Sequence, residues 1–161
     1  MTIENSIEKI AIGHNADDNI ETFLMHLVRG AGVRGLSGIK PVSGKFIRPL
    51  IDTFRKDIIT YLDNKKISYC MDRTNVENIY FRNRVRNILI PFISKRFLKS
   101  FKSNVLKSIN ILKCEDEFLR GYSVTKLAEI ASIKRSKIGK YAALIKIPVL
   151  KIKGEARAVQ R

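Results

Sequence analysis

The order of apolar and polar residues predicts a strand, a turn and a helix near the start of the chain. Ile10, Ala11 and Ile12 form a short apolar run that ends at Gly13-His14. In the segment that follows, apolar residues recur at helical spacing, and they are Ile20, Phe23, Leu24, Leu27 and Val28. We therefore expect a buried strand over residues 10–12, a tight turn and an amphipathic helix that begins close to Asp17.

The same periodicities predict one more strand and a largely helical remainder. A strand is expected over residues 46–50, where Pro49 ends it because proline cannot donate to a ladder. The expected helices cover residues 53–64, 78–97, 97–119, 124–132 and 134–145. Pro91 should kink or restart the helix that is expected over residues 78–97. Residues 115–117 are expected to form an acidic patch that faces solvent.

Acidic side chains and one histidine gather where the first strand gives way to the first helix. Asp17, Asp18 and Glu21 occupy the opening helical turns, and His14 precedes them. Carboxylates there can cap free N–H groups and favour the positive end of the helix dipole. In open α/β sheets, however, ligands bind outside the carboxyl ends of strands. The residues alone thus leave ordinary helix capping and a functional site as alternatives.

The net charge favours a polyanionic partner. Lysine and arginine number 31 against 15 aspartates and glutamates, for a formal charge of +16. Nucleic acid is the leading candidate and an anionic membrane surface the weaker one. An AT-rich genome would also supply lysine, isoleucine and asparagine. Codon bias explains the cluster of Arg82, Arg84 and Arg86 less well.

Cellular location follows from what the sequence lacks. No run approaches the roughly 20 apolar residues of a membrane span, and the N-terminal residues do not resemble a secretory signal. We therefore expect a cytoplasmic protein without a membrane partner. Cys70 and Cys114 are far apart and without metal-ligand spacing, so we expect both to be reduced and structural.

An ordered series of short motifs resembles one known family. The series consists of Gly13-His14-x-x-Asp17-Asp18-x-x-Glu21-Thr22, Arg29-Gly30-x-Gly32-x-x-Gly35-Leu36, Ile47-Arg48-Pro49-Leu50, Arg55-Lys56-Asp57-Ile58, and Tyr80-x-Arg82-Asn83-Arg84-Val85-Arg86 up to Pro91. It covers roughly residues 9 to 98 and is similar to the second half of the catalytic domain of tRNA(Ile)-lysidine synthetases, which are PP-loop ATPases. No single motif is decisive, but the ordered series is specific.

The resemblance implies an α/β fold. Residues 1–98 would be the C-terminal half of a Rossmann-like parallel-sheet domain of the adenine nucleotide alpha hydrolase type. Residues 99–121 would form a helical linker or subdomain. Residues 122–161 would be a basic tail or the start of a tRNA-binding region.

The resemblance also implies a ligase with defined partners. ATP, with Mg²⁺, would adenylate the wobble cytidine of tRNA(Ile) with a CAU anticodon, and free L-lysine would then displace AMP to form lysidine. His14, Asp18 and Glu21 would be catalytic, with Asp18 also a metal ligand. The resemblance places Asp17, Arg29 and Arg48 at the cofactor. Arg82, Arg84 and Arg86 would contact the nucleic acid.

The main departure from the family pattern is a missing loop. Family members carry a Ser-Gly-Gly-x-Asp-Ser loop whose N–H groups and serines hold the ATP phosphates, and this sequence contains none. We therefore expect the chain to be a fragment that lacks about the first 100 residues of a domain of ordinary size. A partner carrying that N-terminal half would complete the sheet, and the isolated chain would be inactive.

Two other functions remain open. Related tRNA thiolases share the strand, the acidic helix and the glycine loop, but sulfur transfer generally needs a Cys-x-x-Cys pair, which Cys70 and Cys114 do not form. A non-catalytic basic RNA-binding remnant is the second alternative, and the missing nucleotide loop favours it.

Overall fold

The computed structural model describes residues 8–70, 80–130, 132–135 and 143–146. The chain divides into two compact units, Met1–Lys113 and Cys114–Arg161. The predicted divisions at residues 98 and 121 stay predictions. Asp72 and Asn75, at which the sequence also resembles the family, fall outside the described residues.

A small mixed sheet opens the first unit. Strand β1 (Ile10–Ala11) pairs in parallel with β3 (Phe46–Ile47), and β2 (Val42–Ser43) pairs with β3 in the antiparallel sense. A strand is present at the expected place, but the prediction that it is buried is wrong, because Ile10 is 41% exposed. Strands of two residues are too short to bury a face. The second expected strand ends earlier than predicted, since beyond Ile47 the backbone N–H of Arg48 turns to the carbonyl of Pro41.

Helix α1 (Ala16–Val28) confirms the first helical prediction. Asn15 is its N-cap, and the Asn15 side chain and the Asp18 side chain each accept a hydrogen bond from the other residue's backbone N–H. This reciprocal arrangement satisfies two donors that the first turn would otherwise leave free. Asp18 therefore caps the helix, as one of the two alternatives for the acidic residues requires.

The apolar stripe of α1 forms the centre of the core. Its partners come from the helical segments that follow, which are α4 (Phe81–Arg84), a π-helical turn (Val85–Leu89), α5 (Ile90–Arg96) and α6 (Phe101–Ile130). The buried core residues are Ile20, Phe23, Leu24, Val85, Ile90, Val105 and Ile109. Burying side chains of this size contributes about 1.5–3 kcal/mol each. Packing against α1 therefore fixes the position of the arginine-rich segment.

The basic segment is one helical run with a local widening. The π-helical turn sits between α4 and α5 and contains Arg86. Pro91 lies in the first turn of α5, where a missing N–H is tolerated, so the predicted restart of the helix is confirmed. Two shorter helices complete the unit, α2 (Val33–Leu36) and α3 (Arg55–Asn64). Helix α3 begins two residues later than predicted, and Phe54 is its N-cap.

Helix α6 extends further than predicted, and one of its three acidic residues expected to face solvent is buried. It continues through Gly121 to Ile130, beyond the expected end at residue 119. The expected solvent-facing acidic patch is wrong for Asp116, which is buried, while Glu115 and Glu117 are exposed. Successive helical residues turn by about 100°, so three consecutive side chains cannot share one face.

The end of the second unit contains strands where a helix was predicted. Strands β4 (Ser132–Arg135) and β5 (Ala143–Lys146) form an antiparallel pair in which Ile133 faces Ile145 in register. The prediction of a helix over residues 134–145 is therefore wrong, and residues 136–142 lie outside the described part. β-Branched isoleucine favours a paired strand, which outweighed a weak helical periodicity. None of the helices in the described ranges is long and apolar enough to cross a membrane.

Gly38 is a position in the first unit at which the surrounding atoms leave no room for a side chain. Its φ angle is +73°, and a Cβ there would collide with Asn19 Oδ1 and lie 2.8 Å from Ile109 Cγ2. Asn19 is buried, and its Oδ1 accepts a 2.8 Å hydrogen bond from the backbone N–H of Ile39. The Gly38 turn therefore docks against both α1 and α6.

We predict that Gly38→Ala lowers the free energy of unfolding by about 2–5 kcal/mol, because strain at positive φ adds to overpacking. The matched control is Gly44→Ala. Gly44 has a φ of +58° but open space around it, so its cost should be the backbone strain alone, about 1–2 kcal/mol. Urea denaturation followed by circular dichroism measures both. Equal losses would contradict the role given to Asn19 and Ile109.

Candidate active site

Two carboxylates of α1 stand one turn apart beside the carboxyl end of β1. Asp18 and Glu21 are three residues apart and so share a helix face. Glu21 is only 1% exposed, and Asp18 is partly exposed. A carboxylate as buried as Glu21 needs charged partners, since isolated burial of its charge would cost many kcal/mol.

Arg82 and Arg86 supply those partners. Arg82 donates from Nε to Glu21 Oε2 and from an Nη to Asp18 Oδ1, both at 2.8 Å. Arg86 donates from Nε to Glu21 Oε1 at 2.6 Å, and one Nη reaches Glu21 Oε2 at 2.9 Å and Asp18 Oδ1 at 3.2 Å. We call these four residues the ion-pair cluster. Paired, fork-like bonds of this kind are the strong form of the arginine–carboxylate interaction.

The cluster keeps Arg86 charged. Its hydrogen bond to Glu21 raises the pKa of the Arg86 guanidinium above its ordinary value, and the charges of Glu21, Asp18 and Asp17 act in the same direction. Partial burial opposes this rise. Arginine is already protonated throughout the physiological range, so Arg86 remains a cation in the folded protein.

His14 lies in the loop before α1 and contacts Arg48. Arg48 Nε donates to His14 Nδ1 at 3.0 Å, and Arg48 Nη1 donates to the carbonyl of Lys40 at 2.8 Å. Because arginine can only donate, Nδ1 must be the acceptor, and the proton of a neutral imidazole is then on Nε2. His14 can therefore offer an Nε2–H donor.

Asp17 points to a different neighbour from Asp18. One carboxylate oxygen accepts from the backbone N–H of Arg55, the first residue of α3, at 2.8 Å. The other pairs with Lys102 Nζ at 2.6 Å. Asp17 thus ties α1 to α3 and α6.

A cavity of about 710 Å³ borders both Asp17 and the ion-pair cluster. This volume lies within the range of small-molecule sites. Charged side chains on its wall are Asp17, Glu21, Arg55, Lys56, Asp57, Arg86, Lys99 and Lys102. Five of these eight are cationic, so the cavity suits a ligand that carries anionic groups.

Arg29 and Arg84 lie apart from the ion-pair cluster. Their guanidinium carbons are 5.8 and 5.7 Å from the centroid of the Phe81 ring, within the range of a cation–π interaction. Both side chains belong to exposed residues. In the described part of the chain, neither pairs with a carboxylate.

The structure brings together residues that the sequence assigned to separate tasks. Asp18 and Glu21 were predicted as catalytic and Arg82 and Arg86 as RNA contacts, yet all four form one cluster. His14 and Arg48 also meet, whereas Asp17, Arg29 and Arg84 lie elsewhere. Sequence reasoning missed Phe81 and Lys102. The spacing of these residues could have indicated the cluster. Asp18 and Glu21 are three positions apart and Arg82 and Arg86 are four apart, so each pair lies on one helical face.

The described residues do not form an evident metal centre. Within those ranges no three histidine, cysteine, aspartate or glutamate side chains gather in a group that could hold a metal ion. Asp18, the predicted metal ligand, instead accepts hydrogen bonds from two arginines.

Comparison with known proteins connects this site to a family. Residues 1–93, more than half of the chain, match the PP-loop domain. The chain belongs to the PP-loop domain family. Its fold is accordingly the Rossmann-like α/β fold of adenine nucleotide alpha hydrolases, which confirms the predicted class.

Individual relatives of this PP-loop chain carry one common name. The tRNA(Ile)-lysidine synthase of Caldanaerobacter subterraneus subsp. tengcongensis is 37% identical over 153 residues, which are 95% of this chain and 31% of the relative. The tRNA(Ile)-lysidine synthase of Clostridium perfringens is 48% identical over 95 residues, which are 58% of this chain and 20% of the relative. That of Chlorobaculum tepidum is 47% identical over 94 residues, 58% of this chain and 28% of the relative. The chain thus spans less than a third of each relative.

Proposed function

We propose that this chain is part of the catalytic domain of a tRNA(Ile)-lysidine synthase. The reaction is the ATP-dependent formation of a carbon–nitrogen bond between free L-lysine and the wobble cytidine of tRNA(Ile) with a CAU anticodon. The C2 oxygen of the cytidine attacks the α-phosphorus of ATP, and pyrophosphate leaves. The lysine ε-amine then attacks C2 and loses a proton, the bond from C2 to the adenylated oxygen breaks, and AMP leaves with that oxygen. A Ser-Gly-Gly-x-Asp-Ser loop, which these 161 residues do not contain, would supply the phosphate-binding half of the site.

One observation carries the proposal: the acidic motif and the arginine motif, 61 to 68 positions apart, meet in a single cluster around the buried Glu21. A helix that needed only a cap would be served by Asn15 and Asp18. A buried ion pair adds little net stability, because desolvation of the charges offsets most of their attraction. Stability alone therefore does not explain why Glu21 is buried between two guanidinium groups. The position beside the carboxyl end of β1 is where ligands bind in folds of this class.

The side chains suggest a division of roles. We assign the ammonium group of lysine to Asp18 and Glu21, where it would have to replace some of the bonds that Arg82 and Arg86 make to the carboxylate oxygens. The two arginines otherwise balance the charge of the carboxylates and hold them in place. His14, held through Nδ1 by Arg48, offers Nε2–H to an oxygen on which negative charge develops. Asp17, Arg29 and Arg48 remain the candidates for the cofactor side of the site, and Arg82, Arg84 and Arg86 for the RNA side.

ATP and Mg²⁺ fit the described residues unequally. The cavity beside the ion-pair cluster, with its cationic wall, suits the phosphates of a nucleotide. A Mg²⁺ ion at Asp18 fits poorly, because hard cations need several free oxygen ligands and this carboxylate already accepts bonds from Arg82 and Arg86. Magnesium bound to Asp18 stays a prediction, and no step above depends on it.

The alternatives are less well supported. A thiolase would need a cysteine pair, and Cys70 and Cys114 are both exposed and 44 positions apart. A non-catalytic RNA-binding remnant would not need a buried Glu21 between two arginines. The high positive charge is consistent with RNA binding in either case.

A chimera tests the proposal directly. This chain replaces its matching segment in the Caldanaerobacter relative, and purified chimera is incubated with ATP, radiolabelled lysine and a tRNA(Ile) transcript with a CAU anticodon. We expect lysine to be incorporated into the tRNA with release of AMP, while the chain alone releases none. A folded chimera that binds the tRNA but incorporates no lysine would favour the non-catalytic remnant.

A further inference from the structure

An apolar groove with two arginines at its edge lies outside the ion-pair cluster. It has a volume of about 340 Å³ and is lined by Phe81, Arg84, Val85, Ile88, Leu89 and Phe92. Ile88 is 53% exposed and Phe92 is 54% exposed. Exposed apolar side chains that adjoin one another often mark a binding site, whereas single exposed apolar residues need no explanation.

The charges around the groove identify the kind of partner. The exposed residues Arg29 and Arg84 both approach the ring of Phe81, and the ranges that the structure describes contain no carboxylate paired with either. Arg82 and Arg86, by contrast, are bonded to Asp18 and Glu21. Among Arg29, Arg82, Arg84 and Arg86, the two beside the groove are therefore the ones without a carboxylate partner in the described ranges.

Single-stranded nucleic acid is a ligand that would use both features of this surface, its aromatic and apolar side chains and the guanidinium groups that have no carboxylate partner in the described ranges. Bases stack on aromatic rings and on arginine, and arginine also bonds the phosphates that join them. A paired duplex hides its base faces, so it would use the arginines alone. An apolar protein partner would use the groove but would gain nothing from two cations at its edge.

We propose that Arg29, Phe81, Arg84 and the adjoining groove form a stacking platform for an unpaired nucleotide of the tRNA. This inference rests on the proposed function for the identity of the RNA. It assigns RNA contact to Arg84, as the sequence predicted, and to Phe81, which was not predicted to contact RNA. It also moves Arg29 from the cofactor side of the site to the RNA side. Arg82 and Arg86 then act as positioning residues for the carboxylates.

The test measures the affinity of the full 161-residue chain for two labelled RNA probes over a series of salt concentrations. One probe is the anticodon stem-loop of tRNA(Ile) with a CAU loop, and the other is a blunt duplex of the same length. We expect the stem-loop to bind more tightly. Phe81→Leu removes the ring but no charge, so it should weaken stem-loop binding roughly fivefold to a hundredfold and leave duplex binding and the salt dependence unchanged.

The arginine at the groove is tested against a matched arginine elsewhere. Arg84→Ala should lower the slope of log affinity against log salt by about 0.7 for the stem-loop. Arg34→Ala removes the same charge from an exposed position on α2 and should change the slope much less. Equal effects of the two variants would mean diffuse attraction to a basic chain and would overturn the platform.

A second variant guards against loss of folding, since Phe81 also packs against the core. Ile88→Glu places a carboxylate in the groove at a half-exposed position and should weaken stem-loop binding with an unchanged melting temperature. If Phe81→Leu and Ile88→Glu both leave stem-loop binding intact, or instead change only self-association of the chain, the platform is wrong. Lysine incorporation by the chimera reports on the proposed function independently, so the two failures are distinguishable.

Discussion

Replacing Arg86 with alanine is expected to lower the free energy of unfolding of the first compact unit by about 3–5 kcal/mol. The change removes three of the bonds that surround the carboxylates, two to Glu21 and one to Asp18. Glu21 is 1% exposed and, within the described part of the chain, would keep its bond to Arg82 alone. A buried carboxylate deprived of a partner carries most of its desolvation cost without compensation. Urea denaturation, extrapolated to water, measures the loss.

A double-mutant cycle separates the ion pair from simple loss of side-chain packing. If the uncompensated charge is the cause, adding Glu21→Gln to Arg86→Ala should recover part of the stability, because the neutral amide is cheaper to bury. We expect a coupling energy of about 1–3 kcal/mol between the two positions. Additive effects would mean that Arg86 contributes through packing and that the short distances to Glu21 have little energetic weight.

Arg34→Ala serves as the matched control for stability as well. It removes an arginine of the same size from an exposed position, and such surface changes usually stay within about 0.5 kcal/mol. Arg82→Ala should fall between the two, since the Arg82 side chain is more exposed than that of Arg86 and makes fewer bonds to Glu21.

The helical core was predictable from sequence because its signal is local. Ile20, Phe23 and Leu24 recur at the spacing of one helix face, and all three are buried in α1. Strand burial was not predictable in the same way. An apolar run such as residues 10–12 indicates a strand, but its burial depends on which elements cover it, and that information lies elsewhere in the chain. The pair β4 and β5 was missed for a related reason, since strand pairing is a long-range interaction that overrides weak periodicity.

The candidate site was predicted residue by residue but not as an arrangement. The family motifs identified Asp18, Glu21, Arg82 and Arg86, yet assigned the acids to catalysis and the arginines to RNA. Spacing along a chain shows which side chains share a helix face, whereas the meeting of two helices requires the packing of Val85 and Ile90 against α1. Given that packing, complementary charge explains the rest: Glu21, the most buried carboxylate among the described residues, faces two arginines on the adjacent helical run.

Glu21→Gln is expected to reduce lysidine formation by the chimera at least a hundredfold while changing its affinity for tRNA less than about twofold. The substitution preserves volume and leaves an amide oxygen to accept from the arginines. It removes the negative charge that we assign to binding and orienting the lysine ammonium, and loss of one such electrostatic contact commonly costs a factor of about 10²–10³ in rate. Lysine incorporation and a tRNA binding curve, measured on the same preparation, check the two halves of this expectation.

The matched control for that experiment is Glu117→Gln, which makes the same chemical change at an exposed position of α6. It should leave both lysine incorporation and tRNA affinity unaltered. Because Glu21 is bonded to two arginines, a melting curve must accompany the Glu21→Gln assay to show that the variant is folded at the assay temperature. A folded Glu21→Gln chimera with normal activity would mean that Glu21 serves only to join α1 to the arginine-bearing helices. The lysine-binding role would then have to lie with other groups on the cavity wall, of which Asp17 is the nearest carboxylate along the chain and is itself held by Lys102.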